Sequence, residues 1–252
     1  MAKVAHPRFF ALIIGTEILN RRREDSHFLF LSEFLLSRGY RLSGSFVIED
    51  DPALIEKSLS FLANIDNSVV FSFGGIGSTP DDHTRISAAR ALEDGKLYLH
   101  DEAARIIEDR LGEKAYPYPI RMAQLPKGAK LLHNPVNRMP AFYLKERFFF
   151  MPGFPQMSHP MVEWIMDNIY SEKSEPQFRK TLQALCRESE LIDIMETLPK
   201  NVELSSLPKL YSDGPRVVIS VSSKDRNAVE DAYLSFTKAL EERGINYSPI
   251  EE

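Results

Sequence analysis

The chain has 252 residues, enough for one large domain or a domain with a small appendage. Its 43% hydrophobic and 27% charged content is ordinary for a soluble globular protein, and a formal net charge of -5 gives no electrostatic case for non-specific nucleic-acid binding. Cys186 is the only cysteine, which excludes an intrachain disulfide and a cysteine-built zinc site, and the apolar run Phe9 to Ile14 is far too short to span a bilayer, so the expectation is a cytoplasmic protein with no membrane partner.

Phe9-Phe10-Ala11-Leu12-Ile13-Ile14 is a continuous apolar run ending at Gly15, the mark of a central strand buried on both faces. Gly15-Thr16-Glu17-Ile18-Leu19 follows, and the arginines of Asn20-Arg21-Arg22-Arg23 read as a solvated loop. Asp25 can cap a helix whose apolar positions Phe28, Leu31 and Leu35, with Phe34 beside them, share one face, and Gly39 suits its stop. His27, alone at that helix start, reads as structural. Phe46-Val47-Ile48 forms a second strand, closed by Glu49-Asp50-Asp51-Pro52. Asp51 and Pro52 suit the N-cap and first position of a helix with Ile55, Leu59 and Leu62 inside.

Val69-Val70 leads into Phe71-Ser72-Phe73-Gly74-Gly75-Ile76-Gly77, with three glycines within four positions. That spacing predicts a buried strand ending where the backbone turns sharply or lies close to a ligand. Thr79-Pro80-Asp81-Asp82 reads as a helix start, with Thr79 as N-cap and Asp82 at the third helical position, and Ile86, Ala89 and Leu92 continue it towards Gly95. Asp101 opens another helix, with Ile106, Ile107 and Leu111 apolar. This βαβαβα order predicts a largely parallel sheet with helices on both sides and ligands at the carboxyl ends of its strands, where Gly15, Asp50 and Gly74 all fall.

From Ile120 the pattern changes to short strands and turns. Tyr143 to Phe150 reads as a hairpin with a polar turn, and Met151-Pro152-Gly153-Phe154-Pro155 makes a second loop aimed at the same cleft. A helix from Pro160 to Tyr170 follows, and the polar run Ser171 to Pro176 marks a boundary between domains 1–172 and 176–252. Beyond it we read a strand near Thr181 to Cys186, a helix from Glu190 to Leu198, strands at Val202 to Leu204 and Val217 to Val221, and a helix carrying Val229, Tyr233, Phe236 and Leu240. Nothing in this segment reads as catalytic.

A strand, a glycine-rich turn and a helix start in that order bring free N–H groups together and suit a phosphate. Asp81 and Asp82 complicate the site, because carboxylates repel phosphate unless a divalent cation lies between them or one acts as an acid or base. Gly74-Gly75-Ile76-Gly77-Ser78-Thr79-Pro80-Asp81-Asp82-His83-Thr84 resembles the Gly-Gly-x-Gly-x-Thr-x-x-Asp-x-Thr signature of the molybdopterin-binding MoaB/Mog fold. More closely, it is similar to the N-terminal domain of competence/damage-inducible protein A (CinA) and the related domain of eukaryotic FAD synthases. Further similarities follow in order. Gly15-Thr16-Glu17-Ile18-Leu19 stands for Gly-Asp-Glu-Ile-Leu, Asp50 for the first aspartate of a Pro-Asp-Asp triplet, and Pro126 to Val136 for Pro-x-Gly-Ala-x-x-Leu-x-Asn-Pro-Val. Met139-Pro140-Ala141-Phe142 stands for Ala-Pro-Gly-Phe, and Pro152-Gly153-Phe154-Pro155 for Pro-Gly-x-Pro, while Gln156 to His159 lack the acidic residue many relatives carry.

The resemblance implies a three-layer α/β/α domain with a mostly parallel sheet, plus a small C-terminal α/β subdomain. It implies a divalent-metal-dependent hydrolase of the pyrophosphate bond in ADP-ribose or FAD, using magnesium, manganese or cobalt. In that reading Asp82 binds the metal or orients water, Asp81 shares the metal and Asp50 assists. Ligand contacts are expected from Gly15, Thr16, Glu17, Gly74, Gly75, Gly77, Ser78, Thr79, Asn134, Pro135, Gly153 and Pro155. The rival is a non-catalytic binding module for a nucleotide or molybdopterin, which the departures at Thr16, Ala141 and Gln156 favour. Either way the expected partner is a small nucleotide or pterin, with no nucleic acid, and the expected assembly is a homo-oligomer.

Overall fold

A run with no polar residue fits only where both faces are covered, and the strand β1 (Arg8–Ile14) is buried from Phe9 to Ile14. In the computed structural model, which describes residues 4, 6–172, 177–212 and 214–250, β1 leads to a single helical turn, α1 (Thr16–Leu19), then to α2 (His27–Ser37) and β2 (Leu42–Ile48). Next come α3 (Pro52–Ala63), β3 (Ser68–Phe73), α4 (Thr84–Leu92), β4 (Leu97–Leu99) and α5 (Asp101–Leu111). Short strands β5 (Gln124–Pro126), β6 (Lys130–Leu132), β7 (Ala141–Leu144) and β8 (Phe148–Met151) precede the long helix α6 (Pro155–Asn168).

The main sheet runs β2-β1-β3-β8-β7-β6. The pairs β1–β2, β1–β3 and β3–β8 are parallel, and β7 and β6 are added antiparallel. The hairpin between β7 and β8 turns at Lys145 and Glu146, whose φ values of 54° and 55° give the turn the twist a hairpin needs. Register sets Ile14 beside Ile48, Ile13 beside Phe73 and Phe73 beside Met151. The four parallel strands therefore end together, at Gly15, Glu49, Gly74 and Pro152. Because β2 and β3 lie on opposite sides of β1, the crevice beyond β1 and β3 is the switch point where parallel sheets take ligands.

The sheet is the middle of three layers. On one face α2 and α6 cover Phe9, Phe71 and Phe73: His27 stacks on Phe73 at 4.3 Å, and Tyr170 meets the Phe9 ring edge-on at 5.5 Å. On the other, α3 and α4 pack together, with Ile55, Leu59 and Leu62 buried as the sequence predicts. Asp51 caps α3 by accepting the Leu54 N–H at 2.7 Å. Two expectations need correction, and one small sheet was not expected at all. Phe28 is 49% exposed, so of the expected inner face of α2 only Leu31 and Leu35 are buried, with His27 beside them. The helix α4 begins at Thr84 and not at Thr79, because the Asp82 carboxylate turns back onto the preceding loop. The two-stranded β4–β5 sheet escaped the sequence reading, since three-residue strands carry no periodicity.

The chain divides into two compact units, residues 1–173 and 174–252. In the second, β9 (Phe178–Ala184) is followed by α7 (Ile192–Glu196), β10 (Glu203–Tyr211), β11 (Gly214–Ser223), α8 (Arg226–Glu242) and β12 (Tyr247–Ile250). Its antiparallel sheet, β10-β11-β9-β12, buries Leu182, Ile219 and Val221 against Val229, Phe236 and Leu240. Here β10 runs well past Leu204, and β12 is a strand the sequence did not suggest. Both carry mostly exposed side chains, so neither shows the alternation that marks a half-buried strand.

Candidate functional site

The residues beyond β3 cannot continue the strand. Gly74 has φ +105°, and a Cβ there would lie 2.2 Å from the Ile14 carbonyl oxygen. The loop so formed is held from behind by its own carboxylate. Asp82 accepts the N–H of Gly77 and of Thr79, each at 2.8 Å, and the Thr79 hydroxyl at 2.5 Å. That carboxylate lies so close that a Cβ on Gly77 would be 2.6 Å from its Oδ2. Arg85, only 7% exposed, braces the loop from below by donating to the Gly77 carbonyl at 2.6 Å and to the carbonyls of Arg121 and Gln124. Between Gly74 and Thr79, with Gly74 bonded to Met151, three amides remain without a partner among the described residues: those of Gly75, Ile76 and Ser78. All three residues line a cleft of about 480 Å³, within the size range of small-molecule sites.

A second wall comes from the ends of β1 and β2. Thr16 donates its N–H and its hydroxyl to Asp50 Oδ2, both at 2.8 Å, and accepts the Asp50 N–H at 3.1 Å. Two strand ends are thereby clamped without a second carboxylate. Arg23 lies across this wall. It pairs with Glu17 at 3.6 Å, donates to the Gly153 carbonyl at 2.5 Å and sits 5.7 Å above the Phe154 ring. Only Arg23 of the three arginines lines the cleft, which corrects the reading of the whole run as solvated.

Behind Gly153 lies a histidine pair. His27, 2% exposed, sits 3.3 Å from the Gly153 carbonyl through Nε2, and His159 Nε2 lies 3.3 Å from His27 Nδ1. The carbonyl can only accept, so His27 carries its proton on Nε2, and His159 must donate to the bare Nδ1. Burial lowers both pKa values, that of His159 to about 4, and each ring charge would oppose the other.

The third wall is apolar, with Met122, Met139, Pro140 and Met157 beside Asn134 and Asn137. Asn134 is 3% exposed and fully used. Its oxygen accepts from Val136 and Asn137, and its amide donates to Asn137 Oδ1 at 2.7 Å and the Met139 carbonyl at 3.2 Å. Of the residues proposed from sequence, Glu17, Asp50, Gly74, Gly75, Gly77, Ser78, Thr79, Asp81, Asp82, Asn134 and Gly153 meet at this cleft. Gly15, Thr16, Pro135 and Pro155 do not line it: Thr16 acts through Asp50, Pro135 is exposed, and Pro155 starts α6. Arg23, Met122, Asn137, Met139 and Met157 were missed, since their approach depends on packing between distant segments. A larger groove of about 650 Å³, between Leu92 and Lys145, lacks such a loop, and its Lys130 and Lys145 are paired with Glu146 and Glu93.

The donors available to a divalent cation are all carboxylate oxygens, a chemistry that suits a hard ion. Asp81 is exposed. Asp82 is committed to the loop through three bonds. Among the described residues no group of three or more His, Cys, Asp or Glu side chains forms a metal cage. With Asp82 spent on the loop and Asp50 Oδ2 on Thr16, the expected aspartate pair does not form a metal site, and an ion there would depend on Asp81 together with phosphate and water.

The family model MoCF_biosynth, described as a probable molybdopterin binding domain, matches residues 10–171. The chain belongs to this family. The expected likeness to CinA is also found. A CinA-like protein of Citrifermentans bemidjiense is 33% identical over 162 residues, covering 62% of this chain and 39% of that one. The chain thus spans about two fifths of that relative's length. Protein PF0476 of Pyrococcus furiosus is 28% identical over 254 residues, covering 94% of this chain and 96% of its own. The crystal structure of CinA from Thermoplasma acidophilum, a protein of unknown function, aligns with a TM-score of 0.58 at 25% identity, covering 64% of this chain and 98% of that one. Among the described residues, no helix of this MoCF_biosynth member is long and apolar enough to cross a membrane.

Proposed function

We propose that the cleft binds a phosphorylated nucleotide or pterin, with the phosphates on the Gly75-to-Thr79 loop and Arg23. The observation that carries this is the set of three unpartnered amides, of Gly75, Ile76 and Ser78, in a stretch where the amides of Gly74, Gly77 and Thr79 are already tied. Converging backbone N–H groups make an anion-binding concavity without any side chain. Arg23 adds charge where the loop has none, and the molybdopterin-binding description of the family agrees with a ligand of this class. Titration calorimetry of the full chain with inorganic pyrophosphate and with ADP-ribose tests the reading. Changing Arg23 to serine should weaken both ligands about tenfold or more, as one lost charge-assisted bond requires. Changing Arg21 and Arg22 together should leave affinity within about threefold, since neither lines the cleft. Equal effects from the two variants would overturn the placement.

One observation favours a further step, hydrolysis of a pyrophosphate bond. Asp81 presents an exposed carboxylate at the lip of the same loop. There, with bound phosphate and water completing the shell, it would hold magnesium, manganese or cobalt; such an ion offsets phosphate charge and activates water. The chain's own part is to fix the phosphates on the loop amides and to keep Asp50 oriented through Thr16. Steady-state hydrolysis of ADP-ribose and FAD with each ion decides it. Turnover that falls about 10²-fold in Asp81→Asn, with pyrophosphate affinity measured without metal retained, supports catalysis. Binding without turnover under any ion leaves a binding module.

A further inference from the structure

A trans peptide unit is planar, and its C=O and N–H point in opposite directions. A carbonyl bonded on one side of a loop therefore turns the N–H of the next residue to the other side. Every peptide from Gly74 to Thr79 is trans. Glycine at 74, 75 and 77 makes a flipped peptide cheap here, and a flipped unit would offer a phosphate a carbonyl, which repels it. A loop that takes an anion on its amides thus needs its carbonyls held.

The first two residues of α4 hold three of them. The Gly74 carbonyl accepts the Thr84 hydroxyl at 3.0 Å, and the Gly75 carbonyl accepts the Thr84 N–H at 3.0 Å. The Gly77 carbonyl accepts Arg85 Nη2 at 2.6 Å. The N–H groups in those same three peptides belong to Gly75, Ile76 and Ser78, the amides without a partner among the described residues. The two peptides between are held at the opposite end, since Gly77 and Thr79 give their N–H to Asp82. Thr84 has no exposed surface and Arg85 only 7%, so both act from beneath the loop. Gly75 has φ +67°, and a Cβ there would lie 2.3 Å from Thr84 Oγ1, so the threonine reaches the loop only because residue 75 has no side chain. The bonds Arg85 makes among the described residues all go to carbonyls, those of Gly77, Arg121 and Gln124. A buried guanidinium without a carboxylate partner is costly, which calls for a role at this position.

Resting on the phosphate reading, we infer that Thr84 and Arg85 are the positioning residues of the anion loop: by holding the carbonyls of Gly74, Gly75 and Gly77 they aim the N–H groups of Gly75, Ile76 and Ser78 at the bound phosphate. Neither residue touches the ligand. Each sets the direction of particular amides, Thr84 through its hydroxyl for Gly75 and through its N–H for Ile76, and Arg85 for Ser78. The donors are therefore in place before the ligand arrives, and binding has no peptide to reorient.

The test follows single amides of the full, nitrogen-15-labelled chain by NMR while inorganic pyrophosphate is titrated in. In wild type the signals of Gly75, Ile76 and Ser78 should move furthest. Thr84→Val keeps the shape and the backbone N–H and removes the hydroxyl, so at saturation the Gly75 response should be lost and that of Ile76 kept. Arg85→Met should abolish the Ser78 response and spare the other two. Each change should weaken pyrophosphate about tenfold, as one lost bond to a charged ligand requires. Thr84→Ser restores the hydroxyl and should recover both the affinity and the Gly75 response. Should a variant not fold, hydrogen exchange of wild type carries the test: the Thr84 N–H should exchange slowly in the free protein, and the three loop amides fast until pyrophosphate is added. Equal responses in wild type and both variants, or a fast-exchanging Thr84 N–H, would overturn the positioning role and leave the phosphate reading standing. Pyrophosphate that fails to bind, or binds without moving these amides, would overturn the phosphate reading and the positioning role with it.

Discussion

A carboxylate at the foot of a phosphate loop can spend its charge on the ligand or on the loop, and Asp82 spends it on the loop. Two backbone N–H groups and a hydroxyl point at its two oxygens. An asparagine in its place has one acceptor oxygen, and its NH₂ would face donors that also carry hydrogen. Each charge-assisted bond lost costs about 1.5–3 kcal/mol, far more than the few tenths separating Asp from Asn as simple helix caps. Asp82→Asn should therefore lower the thermal midpoint by about 4 °C or more and weaken pyrophosphate, because the loop amides lose their frame. A midpoint within about 1 °C of wild type would mean that the carboxylate is not what holds the loop. Thr16 applies the same logic with the opposite choice of residue. Where a second carboxylate would repel Asp50, the threonine hydroxyl donates to it, so this chain closes its β1–β2 ends by a hydrogen bond alone.

At the level of elements, α2 and α6 meet through the imidazole pair, and the pair makes their docking sensitive to pH. Both rings are neutral in the native state, with burial as the main cause, while Asp25 opposes the depression and Arg23 reinforces it at His27. In the unfolded chain each takes a proton near the ordinary imidazole value of about 6.5. Between that value and about 4, where His159 finally charges, the unfolded state binds more protons and stability rises with pH. Stability is thus lost as pH falls from about 6.5 towards 4, by less than full burial would give because solvent reaches His159. Thermal midpoints of wild type and His159→Gln, taken from pH 7.5 to 4, should converge on acidification. Parallel curves would show that the pair does not titrate with folding. Elements such as β1 and α3 were legible because their signals are local: an apolar run, and an Asp-Pro cap followed by a one-faced helix. The start of α4 was not, since Asp82 could cap forward or reach back, and only the amides of Gly77 and Thr79 decide. Arg23 and Asn137 were illegible for a related reason. Arg23 reaches Gly153 across 130 residues, and Asn137 reaches Met157 across 20, distances that sequence spacing does not encode.

For the molecule as a whole, the relevant fact is that the two units have separate cores. The first gathers Phe9, Phe71, Phe149 and Tyr170 with the helices around them, and the second gathers Leu182, Ile219, Phe236 and Leu240, with no residue common to both clusters. The cleft residues, from Ile14 to Met157, all belong to the first unit. A ligand that binds only one folded unit stabilises that unit by mass action and leaves the other where it was. Two units with independent cores are also where a single two-state transition ceases to be expected. Calorimetry of the full chain should therefore resolve two transitions, and pyrophosphate should raise one alone. At a hundredfold excess over its dissociation constant the gain is about 2.7 kcal/mol, or about 5–10 °C for a unit of this size. The transition that moves should be the one whose midpoint drops in Asp82→Asn, which assigns it to the first unit without cutting the chain. One cooperative transition that shifts as a whole would instead mean that the second unit shares in the stability of the cleft.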